Sequence, residues 1–444
     1  MEEVLTEKQE YVIECFEKGK NIFITGPAGC GKTFLLNNLI NKLSKFEKEQ
    51  VAITAMTGVA ATLLPEGRTL HSWAGIGIGN GDSEHLYKYV RKVSKNRERW
   101  NSVKVLIIDE VSMLTLELFE KLDYIAQKIR NRKTFFGGIQ LIFCGDFCQL
   151  PPVKSTDYCF QSELWQGNIH NILLTKIFRQ DNTIFQTLLN EIRLGYISDE
   201  HIMLLKQRIK KIKYENGIIP TCIYPTNAQV SSINEKEIEK LKQENSSILF
   251  KCVDKVYNRE KDIILKTGKS YEKIIEFINK SSMLVDNLEL CIDCQVMLVV
   301  NYDMDTKLAN GSRGIITGFV NGNPRVLFRH GIEQIITPYQ QSSEMTTYSV
   351  TRTQIPLRLA WAVTVHKSQG MTLDYVVTDL GNVFLPSQIY VTLSRVRSLD
   401  GLFLKNINFS KIYCDDAVKE FYENINKPVK KKHENAFSVL LNSN

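Results

Sequence analysis

Residues 21–40 read NIFITGPAGCGKTFLLNNLI. Within them, Gly26-x-x-x-x-Gly31-Lys32-Thr33 has the spacing of a phosphate-binding loop. Its glycines let backbone N–H groups turn inward around phosphate oxygens, where a Cβ would obstruct them. Lys32 is placed to reach the β and γ phosphates, and the Thr33 hydroxyl to hold Mg²⁺. Gly26, Pro27, Ala28, Gly29, Cys30, Gly31, Lys32 and Thr33 are therefore the candidate cradle for a nucleoside triphosphate. The flanks agree with this reading. Ile22-Phe23-Ile24 is a short apolar run of the strand type, and Phe34, Leu35, Leu36, Leu39 and Ile40 recur at helical spacing.

Working outward, apolar runs alternate with helical patterns from residue 20 to about 155. NIFIT, QVAIT, VKVLIID and IQLIFCG are the strand candidates. Near-continuous apolar strands of this kind predict a parallel sheet covered by helices on both faces. VLIIDEVSML places Asp109 and Glu110 just past a buried strand, at the end where such sheets bind ligands. Asp109 is the candidate for Mg²⁺ and Glu110 for activating water. In FCGDFCQLPPV, Gln149 is placed to touch the γ-phosphate. Arg179 in IFRQ and Arg395 in YVTLSRVRS are well separated from the loop, and guanidinium groups supplied across a cleft stabilise a transferring phosphoryl group.

A second strand set follows: GIIPTCIYPTN, LRLAWAVTV, YVVTDL and IYVTLS, reading as another α/β lobe. Residues 71–100 are glycine-rich and then basic, predicting a small insertion on the first lobe at about 75–100. Residues 235–285, rich in Lys, Glu and Asn, read as an accessory helical segment. Short strands with turn signals over about 288–355 predict a small inserted β-barrel. The expected organisation is a first lobe over 1–175 and a second over 176–444, ending in a polar tail at 427–444. Lys430-Lys431-Lys432 in that tail reads as a solvated surface run.

Totals bound the function classes. The chain has 444 residues, 43% hydrophobic and 24% charged, with a net charge of +7. That balance is compatible with a polyanionic partner. No apolar run approaches the roughly 18 residues needed to span a bilayer. The acidic start MEEVLTEKQE argues against a secretory signal. Ten cysteines are scattered, several inside apolar runs, which predicts free thiols in a reducing, intracellular compartment; nucleus and cytoplasm are not distinguished. Cys291-x-x-Cys294 lacks a second ligand pair and reads as a plain strand position. In WAVTVHKSQGMTLD, Thr364, His366, Lys367 and Ser368 are small donors and cations suited to backbone phosphates of a nucleic acid. Thr57, Gly58, His71 and Trp73 offer the same in the first lobe, Trp73 reading equally as a base-stacking platform or as core.

In this order, these stretches resemble the superfamily 1B helicases of the Pif-one type, relatives of the RecD helicases. LTEKQEYVIECFEKGKNIFITGPAGCGKT resembles the family's adenine-reading start plus phosphate loop, with Gln9 at the adenine-contacting position. MTGVAA, TLHSWAGIG, IIDEVSML and GDFCQLPPV resemble successive first-lobe motifs. IFRQDNTIFQTLLNEIRLG resembles the stretch that sets Pif-one proteins apart, with Arg179 as a first arginine finger. AVTVHKSQGMTLD and YVTLSRVRSLDGL resemble the closing motifs, with Arg395 as a second. The resemblance implies an ATP- and Mg²⁺-dependent DNA helicase moving 5′ to 3′ on single strands in replication, repair or recombination. It further implies two RecA-like lobes, a wedge-bearing first-lobe insertion and an SH3-like second-lobe insertion. Single-stranded and forked DNA are the expected partners of an expected monomer. An RNA or RNA–DNA hybrid helicase is the alternative, followed by a nucleotide-gated single-strand binder without unwinding activity.

Overall fold

The computed structural model describes residues 5–426, apart from 153, 154, 156, 210–219, 259, 260, 304, 305, 307, 309, 330, 345–347 and 386. The expected tail at 427–444 lies outside the described residues. The first lobe is built on six strands: β1 (Ile22–Thr25), β2 (Val51–Ala55), β3 (Arg68–Thr69), β4 (Val105–Asp109), β5 (Gln140–Cys144) and β6 (His170–Leu173). They pair in parallel in the order β3-β2-β4-β5-β1-β6. β1 is buried at every position, and β4 and β5 are nearly so, as strands covered on both faces must be. Because β5 lies between β4 and β1, the loops leaving all three emerge side by side at the carboxyl edge.

Residues 83–102, overlapping the first-lobe insertion expected at about 75–100, form two helices, Ser83–Lys92 and Ser94–Ser102. They are not peripheral: Leu86, Val90 and Trp100 are buried in the main core. Trp100 lies 4.6 Å from Trp73, ring centre to ring centre, and its Nε1 donates to the Ala74 carbonyl.

The second lobe carries a four-stranded parallel sheet in the order Ala362–Thr364, β7 (Thr221–Tyr224), Val376–Leu380, Leu402–Ile407. LRLAWAVTV divides between two sheets. Leu357–Leu359 joins an antiparallel sheet of five strands spanning 295–359, and Ala362–Thr364 joins the parallel one. IYVTLS, expected as a strand, is instead within the helix Gln388–Leu393 and its cap. All six residues of that helix are buried, so no polar face marks a helical period. The segment at 235–285, expected as helical, has a helix at each end (Asn227–Lys242 and Lys269–Ser281) and three strands between, Ser247–Lys251, Val253–Asn258 and Ile263–Leu265. Its Ile, Leu, Phe, Val and Tyr residues fit a pleated surface and override the polar composition.

The last described helix, Asp416–Asn426, returns to the first lobe. Phe421 packs on Phe160, Phe147 and Phe23 at ring-centre distances of 4.3, 5.4 and 6.1 Å.

Candidate nucleotide site between the two lobes

The phosphate loop leaves β1 at Thr25 and enters the helix Lys32–Lys42. That helix starts from Gly31 at φ +84° with no side-chain cap, leaving its first N–H groups for an anion. Gly29 is required by its neighbours. At φ +82°, a Cβ there would lie 2.5 Å from Cβ of Arg179. Lys32 folds over the loop, donating from Nζ to the Gly26 and Pro27 carbonyls at 2.7 and 3.0 Å. Gln9 is buried in the first turn of the helix Glu7–Glu17, where its Oε1 accepts from the Thr6 N–H in a capping box. A Cβ on Gly31 would meet Gln9 Nε2 at 3.0 Å and the Phe178 ring at 3.5 Å, so Gln9 and Phe178 flank the helix start.

β4 delivers Asp109 and Glu110 to the same edge. The Glu110 backbone is left-handed, φ +53°, and its N–H is held by Asp109 Oδ1 at 2.9 Å. Burial pushes the Glu110 carboxyl up to about 7, with Asp109 adding to the shift and Lys32 and Arg395 opposing it. Burial likewise raises Asp109.

A cleft of about 540 Å³ joins the two lobes, and Lys32, Thr33, Glu110, Gln149, Arg179 and Arg395 all line it. The second lobe adds Gly370, Thr372 and Arg397. Arg395 is 2% exposed; its Nε donates to the Val391 carbonyl and its Nη2 to Ser394 Oγ, both at 2.9 Å. Arg179 Nη1 donates to the Ser394 carbonyl at 3.1 Å. Neither guanidinium forms an ion pair with a carboxylate among the described residues. Burial and then the neighbouring Arg395 bring Arg179 down to about 9; burial also lowers Arg395. A buried Arg395 and a partly buried Arg179 lining one cleft call for an anion between them.

The residues expected on nucleic acid divide differently. Thr57 caps the helix Gly58–Thr62, accepting from the Ala60 N–H at 3.1 Å. His71 is half-buried, and burial lowers its pKa. Trp73 is 1% exposed against Trp100, which corrects its reading as a base platform: it is core. In the second lobe, Thr364 caps the turn Val365–Ser368, and Ser368 Oγ donates to the Val365 carbonyl at 2.7 Å. Those hydroxyls hold the turn itself. His366 and Lys367 stay partly exposed. Lys367 faces a second cleft of about 300 Å³, with Asn234 and Arg358. Burial, then Arg358, lowers Lys367 to about 8.

Comparison with known proteins decides the family. Residues 4–202 match the model of the family described as PIF1-like helicase. The chain is similar to the ATP-dependent DNA helicase PIF1 of Mus musculus, 36% identical over 427 residues that cover 94% of this chain and 62% of the relative. Among solved structures it is similar to the Pif1 helicase from Candida albicans, with a TM-score of 0.78 and 34% identity, covering 95% of this chain and 100% of that one. It is also similar to Bacteroides sp Pif1 in complex with ADP-AlF4, with a TM-score of 0.77 and 27% identity over 95% and 97% of the two chains. The chain belongs to the PIF1-like helicase family. It spans a little under two thirds of the length of the first curated PIF1 relatives it matches.

Several site residues of this PIF1-like chain escaped the sequence reading. Phe178 adjoins Arg179 and is half exposed beside Gln9, but an aromatic in a loop carries no signal by itself. Arg397 lies two residues past Arg395, and alternate positions there gave no reason to choose both. Arg358 is held by the Met283 and Ser282 carbonyls, at 2.6 and 3.0 Å. Only the tertiary fold brings it to Lys367.

Proposed function

We propose that this chain is an ATP-dependent DNA helicase that couples hydrolysis in the interlobe cleft to 5′-to-3′ movement along single-stranded DNA, serving replication, repair or recombination. The observation that carries this reading is the meeting of the phosphate loop with Arg179 and Arg395 in one cleft. Hydrolysis alone needs a cradle and a base; residues supplied by a second lobe make closure of the lobes depend on the γ-phosphate. A relative that takes ADP-AlF4 supports a phosphoryl-transfer site.

In this reading Lys32 and the loop hold the phosphates, Glu110 accepts a proton from the attacking water, and Gln149 contacts the γ-phosphate. A carboxyl near neutrality suits the part of Glu110. Arg179 and Arg395 stabilise charge on the transferring group. Gln9 and Phe178 take the base. Mg²⁺ fits the donor set: the Thr33 hydroxyl and Asp109 carboxylate are hard oxygen donors, and the ion would neutralise phosphate charge. Lys367 and His366, with Thr57, Gly58 and His71 in the first lobe, track the strand's phosphates. The lobes divide at about residues 175 and 176, and the antiparallel sheet at 295–359 belongs to an SH3-like insertion. Single-stranded and forked DNA are the partners of a monomer, and the free cysteines fit a reducing compartment.

Strand displacement with ATP tests the reading. Duplexes with only a 5′ overhang should be opened, and those with only a 3′ overhang or none should not. Opening from the 3′ overhang alone would reverse the direction, and faster opening of matched RNA forks would reassign the substrate.

A further inference from the structure

Asp146 is the centre of a buried polar knot that the steps above leave unused. It lies two residues past β5 and is fully buried. Its carboxylate accepts from Arg193 Nη2 at 2.8 Å and Nε at 3.1 and 3.2 Å, Tyr422 Oη at 3.0 Å, the Cys148 N–H at 3.2 Å and Tyr390 Oη at 3.3 Å. Burial alone would raise this acid, but Arg193 outweighs it and the carboxyl stays below its usual range. With the Tyr422 proton directed at Asp146, its oxygen accepts from the Phe147 N–H at 3.0 Å and the Thr25 hydroxyl at 2.7 Å. Tyr390 has the same arrangement. Its proton goes to Asp146, and its oxygen accepts the phosphate-loop N–H of Ala28 at 2.8 Å.

These groups come from distant parts of the chain. Thr25 and Ala28 bracket the start of the phosphate loop, and Asp146 leads into Gln149. Arg193 ends the helix Thr183–Arg193, and Tyr422 lies on the last described helix. Tyr390 sits on the helix Gln388–Leu393, whose Val391 carbonyl also holds Arg395. That helix packs against the turn Val365–Ser368, which carries His366 and Lys367. One short helix therefore touches the phosphate loop, the finger arginine and the strand-binding turn.

We propose that Tyr390 is a positioning residue whose hydroxyl transmits polynucleotide engagement at Val365–Ser368 to the phosphate loop, with Tyr422 bracing Asp146 from the other side. This rests on the reading of the chain as a helicase whose ATP hydrolysis is stimulated by single strands. A shift of the turn moves the helix, and Tyr390 carries that shift to the Ala28 N–H and to the carboxylate ahead of Gln149. Removing the hydroxyl leaves that N–H buried without its partner and cuts one of the ties between the loop and the second lobe.

The test compares Tyr390→Phe and Tyr422→Phe with the wild-type full chain. It measures Mg-ATP hydrolysis with and without an oligo-dT strand, plus thermal melting. In Y390F the ratio of stimulated to unstimulated kcat should fall at least about fivefold, with KM for ATP changed less than about twofold. Y422F should lower the same ratio by a smaller factor, and it carries the test if Y390F fails to fold. A Y390F protein that melts earlier but keeps the full ratio would show a merely structural hydroxyl and overturn the inference. A wild-type chain that strands do not stimulate would overturn the helicase reading, and this inference with it.

Discussion

Lys32 and Lys367 place one residue type in two different surroundings. Lys32 is seated among loop carbonyls at the head of a helix, where a phosphate would replace them as its partner. Lys32→Ala should abolish ATP hydrolysis and largely spare single-strand binding; persistent hydrolysis in that variant would refute the loop assignment. Lys367 is half-buried with Arg358 beside it and has been brought down to about 8. Its charge is present below that pH and lost above it. Single-strand affinity should therefore weaken as pH rises through about 8, measured by fluorescence anisotropy at fixed salt. Lys367→Arg should flatten that profile. Lys367→Ala should reduce the salt slope of binding by about one unit; an unchanged slope would take Lys367 off the phosphate path.

At the scale of elements, legibility in the sequence followed periodicity. β1, β4 and β5 were readable because apolar runs of four or five residues ended in glycine or acid at the ligand edge. The helix Thr183–Arg193 was readable because Phe185, Leu188, Leu189 and Ile192 fall on one face, and all four are buried. The helix Gln388–Leu393 was not, since burial on every side erased its period, and with it went any sign of Tyr390. The same limit applied to Trp73. A tryptophan beside His71 reads alike as platform or core until Trp100, brought back by the two helices at 83–102, is seen against it. Trp73→Ala should cost about 3–5 kcal/mol of stability in a melting or denaturant experiment. Unchanged melting with weakened strand binding would return Trp73 to the DNA face.

Across the whole molecule, two parallel sheets lie in distant parts of the chain, and residues from both lobes line a single cleft. The phosphate loop, Glu110 and Gln149 belong to the first sheet's carboxyl edge; Arg179 and Arg395 come from further along the chain, Arg179 bonded to the Ser394 carbonyl. The candidate chemical residues were legible because their motifs stand in order along the chain. The ties that bind the lobes, from Tyr390 and Tyr422 to Asp146, join positions 244 and 276 residues apart and had no local signature. ATP turnover by Arg395→Ala under saturating single strand tests the shared cleft most directly. A guanidinium completing the site from across the cleft predicts a loss of kcat of about 10³-fold or more with only a modest change in KM. Turnover near that of the wild type would contradict it.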